Sequence, residues 1–171
     1  EDGVYAATIG RDRLELLRKS TYSTSEVLYN KALSFDGVDD YIDCGNNYTI
    51  TNNLTMEAII KTDTATAYPR IVGAEGKWIL CLQTNTGKLW WYGSGIDAVF
   101  PSSPHVADGK YHHVAVVYDG NGINGYVDGQ HVGTLSKTGN LDALDDTLVT
   151  IGDRVTGGRG FNGTIDEVRI W

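Results

Sequence analysis

Positive charge is what this sequence has least of relative to its counterpart. Fourteen lysines and arginines face 22 aspartates and glutamates, for a net charge of −8. A chain-wide attraction to phosphate backbones is excluded, and nucleic acid is not an expected partner. Long apolar runs are missing too. None approaches the roughly 18 residues a membrane helix needs, and no basic segment followed by an apolar one opens the chain, so membrane insertion is not expected. Cysteine is reduced to Cys44 and Cys81, too few for a disulfide framework. They are either two buried thiols or one bridge. The 171 residues are the length of one domain. The chain opens at Glu1 and stops in mid-pattern at Trp171, so residues 1–171 read as a single domain excised from a larger protein, with covalently linked neighbours.

Glycine, by contrast, is abundant at 21 residues against three prolines, and ten tyrosines and four tryptophans accompany it. That profile suits many strands joined by tight turns. A first strand is expected at 4–8 and a helical turn or two within 11–19. From residue 32 short β-prone runs recur at 32–36, 40–43, 54–62, 70–74, 78–84, 88–93, 111–118, 123–128, 131–135, 147–152 and 164–170. Between them stand Thr84-Asn85-Thr86-Gly87, Asp119-Gly120-Asn121-Gly122 and Asp128-Gly129. Such steps supply the positive φ angles of hairpin turns, so the strands pair antiparallel. An all-β sandwich or barrel follows. Sequons at Asn47, Asn53 and Asn162 would matter only in a eukaryotic secretory host.

Five blocks then occur in order: Ala32-Leu33-Ser34-Phe35-Asp36-Gly37-Val38-Asp39-Asp40-Tyr41-Ile42, Leu54-Thr55-Met56-Glu57-Ala58, Tyr111-His112-His113-Val114-Ala115-Val116-Val117-Tyr118-Asp119-Gly120, Tyr126-Val127-Asp128-Gly129 and Gly163-Thr164-Ile165-Asp166-Glu167-Val168-Arg169-Ile170. Together, over about residues 30–171, they resemble the laminin G-like jelly rolls of the concanavalin A-like lectin and glucanase superfamily. The resemblance implies a two-sheet antiparallel jelly-roll β-sandwich with first and last strands adjacent. It also implies an accessory domain of a secreted or cell-surface protein, hence an extracellular setting. The chain departs from the usual pattern at Ile59 and Tyr111, where tryptophan is common.

Because the superfamily includes glycoside hydrolases, paired carboxylates matter. Hydrolysis needs two carboxyl groups across one cleft, about 5 to 10 Å apart. Neighbours on a regular strand point to opposite faces, which separates Asp166 from Glu167. The Glu-x-Asp-x-Glu strand motif that the enzymes of the superfamily carry does not occur. No catalytic residues are expected. His112 and His113 also diverge on a strand and lack metal-ligand spacing, although His113 could hydrogen-bond a ligand.

Calcium, which takes six to eight oxygens, suits the loop Asp36 to Asp40, where Asp36, Asp39 and Asp40 offer three carboxylates. In the resembled family a structural calcium commonly lies where the first and last blocks meet. The resemblance implies Asp36 and Asp166 as ligands, and with Asp39 from the loop the expected metal site is Asp36, Asp39 and Asp166.

The aromatics concentrate in the middle third. In Lys88-Leu89-Trp90-Trp91-Tyr92-Gly93 the alternation puts Trp90 and Tyr92 on one face and Leu89 and Trp91 on the other. If Leu89 marks the core, Trp90 and Tyr92 face outward and can stack on sugar rings. Tyr68 and Trp78 would add rings, and Arg70, Glu75, Gln83, Asp97 and Arg154 would read hydroxyls. The ligand-binding set is therefore Trp90, Tyr92, Tyr68, Trp78, Arg70, Asp97, His113 and Arg154. The expected function is a non-catalytic module that binds a polysaccharide or surface glycan. The alternative is an adhesion or structural domain with a protein partner.

Overall fold

The computed structural model describes residues 5–10, 13–17, 32–46, 48, 50, 52–142 and 146–171, the first two segments as backbone only. The Asn47 sequon lies outside them. Among the described residues there is no helix, and fourteen strands form two sheets.

One sheet holds β1 (Tyr5–Gly10), β2 (Arg13–Leu17), β4 (Ile42–Asp43), β6 (Arg70–Ala74), β7 (Trp78–Leu82), β8 (Leu89–Gly93), β9 (Ile96–Val99) and β13 (Val149–Ile151), in the order β2-β1-β4-β13-β6-β7-β8-β9. The other holds β3 (Leu33–Asp36), β5 (Leu54–Lys61), β10 (Tyr111–Tyr118), β11 (Gly122–Val127), β12 (Gln130–Ser136) and β14 (Asn162–Ile170), in the order β12-β11-β10-β5-β14-β3. Every pairing is antiparallel except β1 with β4. The result is the jelly-roll sandwich that the five blocks imply, with β3 against β14.

Alternation produces the core. Leu54, Met56, Ala58 and Ile60 of β5 point inward beside Val114, Val116 and Tyr118 of β10. From the other sheet Trp78, Leu80 and Leu82 of β7 and Leu89 and Trp91 of β8 meet them. Each large apolar side chain so buried contributes about 1.5 to 3 kcal/mol. Two free, buried thiols are present, with no bridge. Burial pushes both Cys44 and Cys81 up to about 12.

Three local features differ from expectation. Residues 13–17 form a strand rather than a helical turn, because Leu14-Glu15-Leu16 also fits a period of two and β1 supplies a partner. Strand β9 was not anticipated. Its turn is Ser94-Gly95, with φ of 52° and 79°, the two positive values of a tight hairpin connection.

The third is a bulge in β14 between Asp166 and Arg169, where Glu167 has φ 49°. It lets Ile165 and Val168 both enter the core. Asp166, opposite the outward Ile59, and Glu167, paired with the outward Arg169, consequently share the outer face. Strand parity therefore does not separate these two carboxylates.

Where β14 begins, the loop 153–160 lies directly on the loop 36–40. A Cβ on Gly160 would collide with the backbone of Gly37, so only glycine permits this approach.

Candidate functional site

Two rows of outward residues cross the larger sheet. One runs Arg70, Cys81, Trp90 and Val99; the next runs Thr150, Gly73, Ile79, Tyr92 and Asp97. Leu89 and Trp91 are fully buried, so the aromatic pair on the other face of β8 points outward. Tyr92 is 42% exposed and Trp90 half-buried.

The Trp90 ring is fixed from two sides. Its Nε1–H donates to Asp97 Oδ1 at 2.8 Å, and Tyr68 meets it edge-on with centroids 4.8 Å apart. Tyr68 is itself held in an uncommon conformation. Its φ is 54° and that of Ala67 is 55°, its N–H donates to Thr84 Oγ1, and the Arg159 guanidinium lies 5.4 Å over its ring. Two consecutive non-glycine residues in the left-handed region store strain of order 1 to 3 kcal/mol each. The surrounding contacts hold Tyr68 against Trp90 despite that cost.

The polar half of the face centres on Glu75, in the turn after β6. Arg70 is wholly buried, with Nη1 donating to Thr150 Oγ1 at 3.0 Å and Nη2 to Glu75 Oε2. A bulge between Arg70 and Val72 lets both Arg70 and Gly73 face outward while Ile71, Val72 and Ala74 join the core. Burial lowers the Arg70 pKa and Glu75 opposes it. Glu75 is 50% exposed, and Arg154 Nη1 approaches its other oxygen at 3.9 Å. The loop 153–160 is organised by Asp153, whose Oδ1 accepts from the N–H of Arg154 and of Arg159. Arg70 Nε and Asp153 Oδ2 are buried without a partner.

Six of the eight expected ligand residues thus converge on this face: Trp90, Tyr92, Tyr68, Arg70, Asp97 and Arg154. Arg70 does so from beneath, out of a ligand's reach. Trp78 does not belong: it is fully buried on the inner face with Leu80 and Leu82. The run Trp-Ile-Leu-Cys-Leu is apolar on both faces, so its alternation carried no sign of direction. His113 is on the outer face of the opposite sheet, where Nε2 meets Glu57 Oε2 at 3.0 Å. Asp153 and Arg159 were overlooked. Their signal was charge interleaved with glycine at Gly152-Asp153-Arg154 and Gly157-Gly158-Arg159-Gly160.

Glu57 also accepts from Arg169 Nη1 at 2.7 Å. Burial works against its ionisation, but hydrogen bonds from Arg169 and His113 outweigh it and lower its pKa. A carboxylate so held is a poor proton donor. Glu167, beside it, is tied to Arg169, and Asp166 Oδ1 accepts its own neighbour's N–H. His112 is clamped between Asp128 Oδ2 at 2.8 Å and Asp108 Oδ1 at 3.1 Å. Burial lowers its pKa, yet the two aspartates prevail and the pKa is raised.

The expected metal set is altered in one member. Carboxylate oxygens of Asp36, Asp39 and Asp40 lie within 4.8 Å of one another. A calcium ion with bonds of about 2.4 Å spans that spacing. One oxygen of Asp36 already accepts from the Val38 N–H, and one of Asp40 from the Asp36 N–H. The donor set fits a hard cation. Asp166 does not join it: Asp36 pairs with Asn162, and Asp166 stands four residues further along β14, beside Ile59. That is roughly 13 Å at strand spacing.

A two-sheet jelly roll with a ring-bearing outer face defines a lectin-like class of domain. Residues 36–171 match the laminin G-type model of the concanavalin A-like lectin/glucanases superfamily, and the chain belongs to that family. No curated protein matches the chain in sequence. Among solved structures it resembles a candidate carbohydrate-binding protein from Bacteroides ovatus, with 23% identity, TM-score 0.67, and 93% of this chain and 50% of that one covered. It also resembles domain 4 of an extracellular arabinanase from Geobacillus stearothermophilus in complex with arabinotriose, with 17% identity, TM-score 0.60, and 99% and 76% covered. A third is the carbohydrate-binding module of a Ruminococcus gnavus sialidase bound to α2,3-sialyllactose, with 15% identity, TM-score 0.61, and 86% and 92% covered. The chain spans about half the length of the Bacteroides chain. At these identities the likeness concerns the fold. No helix among the described residues is long and apolar enough to cross a membrane.

Proposed function

We propose that this domain is a non-catalytic, extracellular carbohydrate-binding module that takes a polysaccharide or surface glycan on the outer face of the larger sheet. The observation that carries the reading is the outward pair Trp90 and Tyr92, with Trp90 oriented by Asp97 and Tyr68. Aromatic rings stack on the apolar faces of sugars, and a ring held in place loses little freedom when a ligand arrives. Family membership and the glycan-bound structures of similar fold support the same reading. A structural calcium at Asp36, Asp39 and Asp40 is a second element of the proposal, in which those carboxylates hold the ion and pin the loop.

Tryptophan fluorescence tests the site. Trp78 and Trp91 are buried and Trp171 pairs with Thr55 on the opposite sheet, so a ligand on this face should act mainly on Trp90. A polysaccharide that binds should shift the emission of the wild type and of W171F, but not of W90F. If no polysaccharide perturbs the emission and a protein partner is recovered instead, the adhesion-domain reading replaces this one.

A further inference from the structure

Resting on that carbohydrate reading, we propose that the glycan is a neutral one, and that Glu75 orients it by accepting hydrogen bonds from its hydroxyl groups. The charges on the face differ in how far they meet solvent. Arg70 carries the planar fork that suits a ligand carboxylate or sulfate, but its side chain is 1% exposed and the fork is turned toward Glu75 and Thr150. Arg154 is 33% exposed, with Nε given to the Gly157 carbonyl and Nη1 toward Glu75. Arg159 lies over the Tyr68 ring. Lys77, in the same turn as Glu75, is itself engaged. The cations around Glu75 are thus buried, shared, engaged or stacked, and Lys88, half-buried just before β8, is the cation left nearest Trp90.

The carboxylates are the most exposed charges of the face. Glu75 is half-exposed and Asp97 exposed. An ionised carboxylate only accepts hydrogen bonds, so it pairs with hydroxyl donors and repels anionic substituents. Its bonds are charge-assisted, roughly twice as strong as neutral ones. The net charge of −8 adds a long-range penalty against polyanions.

Placement supports the role. The Arg70 guanidinium reaches Thr150, and Thr150 lies in the row Gly73, Ile79, Tyr92. Glu75 is therefore anchored near the Thr150 end of a row whose aromatic member is Tyr92, three strand spacings and roughly 14 Å from Thr150. Ile79, almost wholly covered, lies between them, so a glycan stacked on Tyr92 reaches Glu75 with the hydroxyls of a further sugar along the chain. Arg70 is a positioning residue: it holds the acceptor and does not touch the ligand.

The test is titration calorimetry of the full chain against neutral polymers (arabinan, xylan, mannan, β-glucan) and acidic probes (polygalacturonate, alginate, heparin, sialyllactose). At least one neutral polymer should bind, with an affinity changing less than about twofold between 50 and 500 mM NaCl. E75Q should weaken it tenfold or more, E75D should recover part of the loss, and both should melt close to the wild type. W90A should abolish binding. Salt-sensitive binding of an acidic probe that E75Q strengthens would overturn the neutral assignment while leaving the site in place. Neutral binding unaffected by E75Q would overturn the role of Glu75. Binding of neither class, or binding indifferent to W90A, would remove the carbohydrate reading itself.

Discussion

Arg70→Met separates the two jobs assigned to the buried guanidinium. Methionine fills most of the stem's volume, so little cavity forms. Two hydrogen bonds from a charged donor disappear, each worth about 1.5 to 3 kcal/mol. Against this, an Nε–H buried without a partner is removed, recovering about 1 to 3 kcal/mol. Glu75, half-exposed, returns to water, so its share is discounted as for a surface pair. Thr150 Oγ1 remains buried and loses its donor. The balance is a loss of about 1 to 2 kcal/mol, or a Tm lower by about 2 to 8 °C for a chain of this size. Arg70→Ala adds a cavity and should cost about 3 to 5 kcal/mol. Calorimetric melting gives the stability, and titration with a bound neutral polymer gives the affinity. Arg70→Met should lose affinity tenfold or more although it never touches the ligand, because Glu75 is no longer held. A variant that melts above the wild type and binds equally well would refute the positioning argument.

Raised pKa at His112 makes its contribution complete below the unfolded value of about 6.5 and lost as pH rises through the higher folded value. Tm should therefore fall as pH increases above about 6.5, and D128N should flatten that fall in a melting series. For the metal, chelator should lower Tm and calcium restore it in the wild type and in D166N, while D39N and D40N should not respond; an equal response in all four would refute the Asp36 to Asp40 assignment. Cys44 and Cys81, buried and with raised pKa, should react with an aromatic disulfide reagent only after urea is added, and two thiols should then be counted.

The sandwich was legible in the sequence because its signals are local: Asp-Gly turns, period-two runs, and five ordered blocks. The direction of β8 was legible for the same reason, since Leu89 and Trp91 are opposed to Trp90 and Tyr92. Bulges were not. The extra residue in β14 puts Asp166 and Glu167 on one face, and that in β6 turns Arg70 outward three residues from Gly73. Each depends on what the core needs from the whole strand, which no short window contains. Register was equally hidden: nothing in the closing block reveals that Asn162, rather than Asp166, lies opposite Asp36. Burial misled at Arg70 and Trp78. An arginine suggests surface and a tryptophan in an aromatic-rich stretch suggests contact, yet both are enclosed.

The touching backbones of Gly37 and Gly160 give the domain a seam along which its variants should diverge. With no side chain on either side to absorb movement, any shift of the acidic loop displaces the strip that carries Asp153, Arg154 and Arg159. Related chains that change what they bind need not alter Trp90 or Glu75; resizing residues 36–40 would reshape the rim from behind. Libraries aimed at new recognition therefore have a second place to vary, out of reach of the ligand and coupled to it through one glycine pair.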